Sequence, residues 1–271
     1  MSTTIDAHLH IWDLSRMRYH WLTPDNTLLH RDVLPDEVYA HMQACGVDYA
    51  LAVEAANLTV EIPYLLEQAA LHPWLAGVIG WMSRDDQWTG DAPVGLIGAR
   101  LPWLQADGSV TMPQCVVRLG LPCDVILEPH AYEAGLALMR AHPQITFVIG
   151  HLAGVPLGPD PRHARDWEAA LKPLAALPNA VMKVSGHLTS ADPKPLTVDT
   201  LRRYLDVAAR QFGVDRLMYG SNYPICLRAG SYAQDIDMVR QAIAHYSAAE
   251  QAAIMGKTAA RVYRLTLGPR L

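Results

Sequence analysis

Charge is sparse in this sequence and never gathers. Only 18% of its 271 residues are Asp, Glu, Lys or Arg, the net charge is −5, and no run of Lys or Arg occurs. Such a chain lacks the electrostatic footprint that nucleic acid or an anionic membrane surface requires of a partner. Long apolar runs are also missing: no stretch approaches the roughly 20 residues that cross a bilayer. The first residues show no basic segment leading into an apolar one, so a cytoplasmic protein is expected. The four cysteines, Cys45, Cys115, Cys123 and Cys226, form no C-x-x-C pair. That excludes a zinc knuckle and a disulfide framework, and predicts four buried thiols. No internal repeat, low-complexity tract or shift of composition divides the chain, so residues 1–271 read as one domain. A homo-oligomer is compatible with these features.

What the sequence has in quantity is hydrophobic residues, at 51%. A chain of this length and apolar content can bury a large core. Short apolar runs alternate with amphipathic segments, as expected when helices connect parallel strands. Eight strands are predicted, at residues 4–11, 48–55, 75–82, 95–101, 124–127, 145–150, 180–184 and 217–221. Each is apolar throughout, as a strand covered on both faces should be. Helical spacing appears in Leu201, Leu205, Ala208 and Phe212, in Tyr132, Leu136 and Met139, and in Ile62, Leu65, Leu66, Ala69 and Ala70. Ser247 and Glu250 form a capping box that opens a further helix, which Gly256 should end, before a last amphipathic piece at 257–265. Residues 84–94 and 102–122 lack a helical period and carry Gly, Pro, Asp and Trp. The prediction is a (β/α)8 barrel with irregular third and fourth connections. An open doubly wound sheet is disfavoured because the first strand ends in histidines, where that fold places a glycine-rich turn.

Barrel enzymes draw their reactive groups from the C-terminal ends of the strands. The first strand ends in Asp6, His8 and His10. Alternation puts the two histidines on one face, about 6.5–7 Å apart, with Asp6 two positions further back. The sixth strand runs into His151. The seventh ends at Lys183 and Ser185, and the eighth runs into Ser221 and Asn222. Glu54, Arg100 and Glu128 end the second, fourth and fifth. Polar residues thus collect at one end of an otherwise apolar sheet.

Four segments carry a resemblance: IDAHLHIWD at 5–13, GHLAG at 150–154, KVSG at 183–186 and YGSNYP at 219–224. With them the chain resembles the amidohydrolase-related family, most closely its branch of sugar-lactone and 2-pyrone-4,6-dicarboxylate lactonases. The likeness runs from Ile5 to Leu265, where MGKTAARVYR at 255–264 is similar to the family's closing helix. It implies hydrolysis of a lactone, or less often decarboxylation or amide hydrolysis. In metal-dependent relatives, the positions of His8 and His10 ligate a divalent ion, usually zinc, with His151 nearby. In metal-independent lactonases the same histidines polarise the substrate carbonyl or hold its carboxylate.

The family usually activates water with an aspartate after the eighth strand, and this chain has Asn222 there. An amide has no basic lone pair near neutrality. A hydrolase built on this site needs another base, for which Glu54, Glu128 and His151 are candidates. Asn222 keeps the capacity to orient a water or ligate a metal through its oxygen. Arg100 and Lys183 are expected to hold a negative group of the substrate, with His187, Tyr223 and Arg228 lining the pocket from positions just past strand ends. Trp12, Trp21, Trp81 and Trp103 follow strands and could wall it. The expected partner is a small lactone or anionic substrate. The rival readings are a decarboxylase or amidase on the same scaffold, and a binding protein that lost its base at Asn222.

Overall fold

A computed structural model describes residues 2–83, 88–190 and 195–268. Residues 84–87, within the segment expected to be irregular, lie outside the described residues. Eight parallel strands follow one another around a single sheet in sequence order. They are β1 (Ile5–Leu9), β2 (Tyr49–Val53), β3 (Leu75–Trp81), β4 (Leu96–Arg100), β5 (Cys123–Val125), β6 (Phe147–Ile149), β7 (Ala180–Val184) and β8 (Leu217–Tyr219). Each lies within two residues of its predicted limits. β1, β2 and β7 are buried at every position, because the barrel interior covers one face and helices the other. The barrel expectation holds.

The sheet closes through backbone bonds just beyond the named strands. His10 N–H donates to the Tyr223 carbonyl at 2.8 Å, and Asn222 N–H donates to the His8 carbonyl at 2.7 Å. The closing seam is therefore made by the two segments that carry candidate site residues.

The helices are α1 (Pro35–Ala44), α2 (Ile62–Leu71), α3 (Gln114–Leu119), α4 (Tyr132–Ala141), α5 (Pro161–Ala175), α6 (His187–Ser190), α7 (Val198–Phe212), α8 (Tyr232–Ala242), α9 (Ala248–Ala252) and α10 (Thr258–Val262). Between β3 and β4 the described residues form no helix, and between β4 and β5 only the short α3 appears. The third and fourth connections are irregular, as their composition predicts. Gly256 does not end a helix: residues 253–257 form a π-type turn that carries the chain from α9 into α10. A Cβ at Gly256 would lie 2.2 Å from the Thr3 carbonyl oxygen, so this glycine serves close packing against the chain entering β1.

Two apolar cores result. The larger fills the space between strands and helices, and the smaller plugs the barrel with Ile5, Leu51, Val53, Ile79, Val148, Val181 and Met218, sealed by Val262 and Tyr263 at and after α10.

Candidate active site

A bulge in β1 shapes the site. Asp6 pairs with Ala50 and Leu9 with Ala52, so β1 carries one residue more than β2 over that interval. An extra residue re-aims the side chains that follow it. Asp6 consequently points away from the barrel axis, accepting from the Tyr232 hydroxyl of α8 at 3.1 Å and from the backbone N–H groups of His8 and Ser221 at 3.1 and 2.9 Å. His8 points inward. The uninterrupted alternation expected for Asp6 and His8 is thus corrected by the bulge.

His8, His10 and His151 come together. The His8 ring lies 5.0 Å from that of His10 and 4.7 Å from that of His151, centroid to centroid. His151 follows β6 at the head of a left-handed turn, with φ of 52°, 50° and 54° at His151, Leu152 and Ala153 and 65° at Gly154. Three non-glycine residues in that region carry backbone strain. Ser185 past β7 restrains the turn: its Oγ accepts the His151 backbone N–H at 3.2 Å and stands 3.0 Å from Nδ1 of the ring. Two glycines make room for these rings. A Cβ at Gly220 would fall 2.6 Å from Cβ of His8, and one at Gly186 (φ 65°) would fall 2.9 Å from Nδ1 of His151.

Above the rings opens a cavity of ≈ 490 Å³, lined by His10, His151, Arg100, Asn222, Glu128 and Arg228, and walled by Trp21 and Trp103. Of the other two tryptophans, Trp12 is packed in the core, its indole N–H donating to the Arg31 carbonyl at 2.6 Å, and Trp81 does not line the cavity. Arg100 enters from the end of β4, donating to the Glu54 carbonyl at 3.1 Å with its Nε 3.4 Å from the Glu54 carboxylate. Glu54 itself is fully buried behind Arg100 and off the cavity, and its other oxygen accepts the Asn57 N–H at 2.8 Å. Glu128 stands at the open rim, 3.5 Å from His130.

Three expected substrate-binding residues lie elsewhere. Lys183 is completely buried in the barrel, its Nζ 2.5 Å from Asp124 Oδ2 and 3.5 Å from Nδ1 of His8. His187 is buried with Nε2 3.1 Å from Asp235 of α8. Tyr223 turns outward and donates to Glu37 of α1. An even strand-end position does not distinguish a side chain that looks into the cavity from one beneath it or behind it.

Burial depresses all three imidazoles. It takes His10 down to about 3, helped by the Arg100 charge and opposed by contacts to the Val53 carbonyl and Asn222. Burial, then the Lys183 charge, holds His8 well below the ordinary histidine value, and burial, then Arg100, does the same for His151. The rings are therefore neutral at physiological pH. Burial also raises Glu54, against the pull of Arg100.

Sequence reasoning missed Glu61 and gave Ser185 no role. Glu61 is fully buried and accepts the N–H groups of Ala55 and Ala56 at 2.8 Å each, holding the loop that walls the cavity. Burial lifts its carboxyl to about 7. The one available signal was a glutamate directly before an apolar first turn, Ile62 to Leu66. Ser185 could have been found from its place at the end of β7.

Among the described residues, no three His, Cys, Asp or Glu side chains stand together as donors for a metal ion. The nearby carboxylates of Glu54 and Asp124 are occupied by Arg100 and Lys183, two cations that disfavour a dication between the rings. Their placement lends no support to the zinc centre that the resemblance implies for metal-dependent relatives at His8, His10 and His151.

A family model described as Amidohydrolase matches residues 101–265. An L-fucono-1,5-lactonase of Burkholderia multivorans is 32% identical, over 96% of this chain and 96% of its own. The chain belongs to the amidohydrolase family. It is a hydrolase fold of the lactonase branch. Crystal structures of an amidohydrolase from Burkholderia multivorans superpose with TM-scores of 0.86 (bound HEPES, 31% identity) and 0.84 (bound zinc, 30% identity), each covering 98% of this chain and 100% of the other. A probable 2-pyrone-4,6-dicarboxylic acid hydrolase from Acinetobacter baumannii, 15% identical with a TM-score of 0.75 over 97% of this chain and 100% of its own, shares the fold. No described helix is long and apolar enough to cross a membrane.

Proposed function

We propose that this amidohydrolase opens a small sugar-derived or carboxylated lactone by proton chemistry run on its own imidazoles. The observation that carries the reading is the meeting of His10 and His151 with Arg100 in the wall of one cavity, with the buried His8 ring packed against both imidazoles, in a chain whose relatives include lactonases. Such a wall offers N–H donors to a developing oxyanion and a lone pair to a water, which are the two needs of ester hydrolysis.

His10 is the base. Its Nδ1 stands 2.9 Å from the Val53 carbonyl, which can only accept. The ring proton therefore sits on Nδ1 and the lone pair on Nε2. Glu54 is excluded by its place behind Arg100, and Glu128 by its exposure at the rim. Water adds to the lactone carbonyl carbon as its proton passes to Nε2 of His10. Arg100 and His8, whose Nε2 has no partner within the protein, stabilise the oxyanion. The ring C–O bond then breaks and the same proton passes to the departing alkoxide, giving the hydroxy acid. Asn222 orients the water beside His10. Trp21 and Trp103 wall the ring of the substrate, and Arg228 favours one that bears a negative group.

The test is ring opening across a panel of sugar and carboxylated lactones, followed by proton release with and without a chelator. Turnover that survives chelation and stays flat from pH 8 to 6 is expected, because the imidazoles titrate well below the ordinary value. Asn222→Asp places a carboxylate beside His10, favours its protonated form, and should move the acid limb up by about one pH unit. Tight lactone binding with no turnover would establish the binding protein instead, and activity that needs zinc would remove the metal-free scheme.

A further inference from the structure

Lys183 is a cation buried to 0% exposure in the centre of a barrel, and the proposed scheme gives it no contact with substrate. It is held from two directions. Asp124 Oδ2 is 2.5 Å from its Nζ, and the other Asp124 oxygen accepts the Tyr263 hydroxyl at 2.5 Å. The Tyr263 ring lies 5.4 Å from the ammonium. Thus fixed from β5 and from the end of α10, Lys183 presents its remaining face to Nδ1 of His8 at 3.5 Å.

An ammonium carries three donors and no acceptor. Beside it, Nδ1 of His8 is stable only as the lone-pair nitrogen, since an N–H there would meet another N–H. A neutral imidazole has a single ring proton, which must then be on Nε2. The strongest other charges bearing on His8 are basic: His151, His10 and Arg100. None of them supports a second proton on the ring. His10, two residues along the same strand, has the opposite arrangement, because a carbonyl faces its Nδ1.

We infer that Lys183, clamped by Asp124 and Tyr263, is a positioning residue that fixes His8 as the Nε2–H tautomer, making it an unpartnered hydrogen-bond donor beside His10 and His151 and a poor metal ligand. A metal-binding histidine normally donates its second ring N–H to a carboxylate, carbonyl or water. Ligation through Nε2 of His8 would drive the proton onto Nδ1, against the ammonium. The donor role toward a lactone carbonyl rests on the lactonase reading; the tautomer does not.

The experiment is long-range 1H–15N correlation on protein labelled at histidine, with His8 assigned by the signal lost in His8→Gln. Wild type should show His8 protonated at Nε2 and His10 at Nδ1. Lys183→Met strands Asp124 in the core, so Lys183→Met combined with Asp124→Asn guards against a folding failure. In the double variant the His8 proton should redistribute toward Nδ1. Zinc affinity, measured by equilibrium dialysis of the apo-protein, should rise at least tenfold, and kcat should fall at least tenfold with KM nearly unchanged. A wild-type His8 protonated at Nδ1, or zinc affinity and tautomer both unmoved in the double variant, would overturn the inference. An Nε2–H tautomer in a protein that opens no lactone would sink the lactonase reading alone.

Discussion

Two buried ion pairs stand one above the other in this barrel, and they differ in what they face. Lys183–Asp124 is closed off on all sides, with Nζ and Oδ2 2.5 Å apart. Arg100–Glu54 is looser, 3.4 Å between Nε and Oε1, and Arg100 forms part of the cavity wall. Both cations end or nearly end a strand, and the carboxylates lie on or just past another, Asp124 on β5 and Glu54 directly after β2. Depth alone separates them. The deeper pair can act on substrate only through His8, whereas the upper one presents a guanidinium directly to whatever enters.

The sharpest way to break that comparison is to remove one carboxylate from the deeper pair. Asp124→Ala leaves Lys183 buried without a counter-charge and should cost about 3–5 kcal/mol of unfolding free energy, measured by urea denaturation. A loss comparable to that of an ordinary surface change would show that the pair is not a structural charge lock. Arg100→Met should act on turnover instead. A fall in kcat/KM of about 10²-fold is expected for removing an oxyanion donor, with a smaller stability loss than Asp124→Ala because Glu54 can take up a proton. Equal stability losses in the two variants would erase the distinction. The smallest effect belongs to Glu54→Gln. Burial raises the Glu54 carboxyl, so across that interval the folded protein holds a proton that the unfolded chain has shed. The stability it contributes is complete below the ordinary carboxylate range and is lost as pH rises through the folded value. Glu54→Gln removes this dependence. Its melting temperature relative to wild type should therefore increase between pH 5 and pH 8, and a constant difference would mean that Glu54 is ionised throughout.

The fold was legible because parallel barrel strands are apolar on both faces, and all eight stood out as continuous runs. Their polar C-terminal ends pointed to His8, His10, His151, Arg100 and Asn222. What escaped was whatever depends on register between strands. No local pattern announces the bulge between Asp6 and Leu9, yet it decides that His8 turns inward. Lys183 looks like a mouth residue in sequence, but its level relative to Arg100 is set by the stagger of β4 and β7. His187 and Tyr223 follow strand ends as expected, but their partners, Asp235 and Glu37, sit on outer helices that draw them off the cavity. Helix α5 also escaped. It begins at Pro161, contains Pro173, and buries only a narrow stripe that includes Trp167 and Leu171.

The seam between the first and last strands has a bearing on how this enzyme should fail. The bonds from His10 to Tyr223 and from Asn222 to His8 fasten the hoop of strands at its working end. Loosening that clasp by heat or denaturant scatters the imidazoles in the same event, before the hoop as a whole need come apart. Inactivation should therefore precede or accompany the loss of secondary structure and never trail behind it.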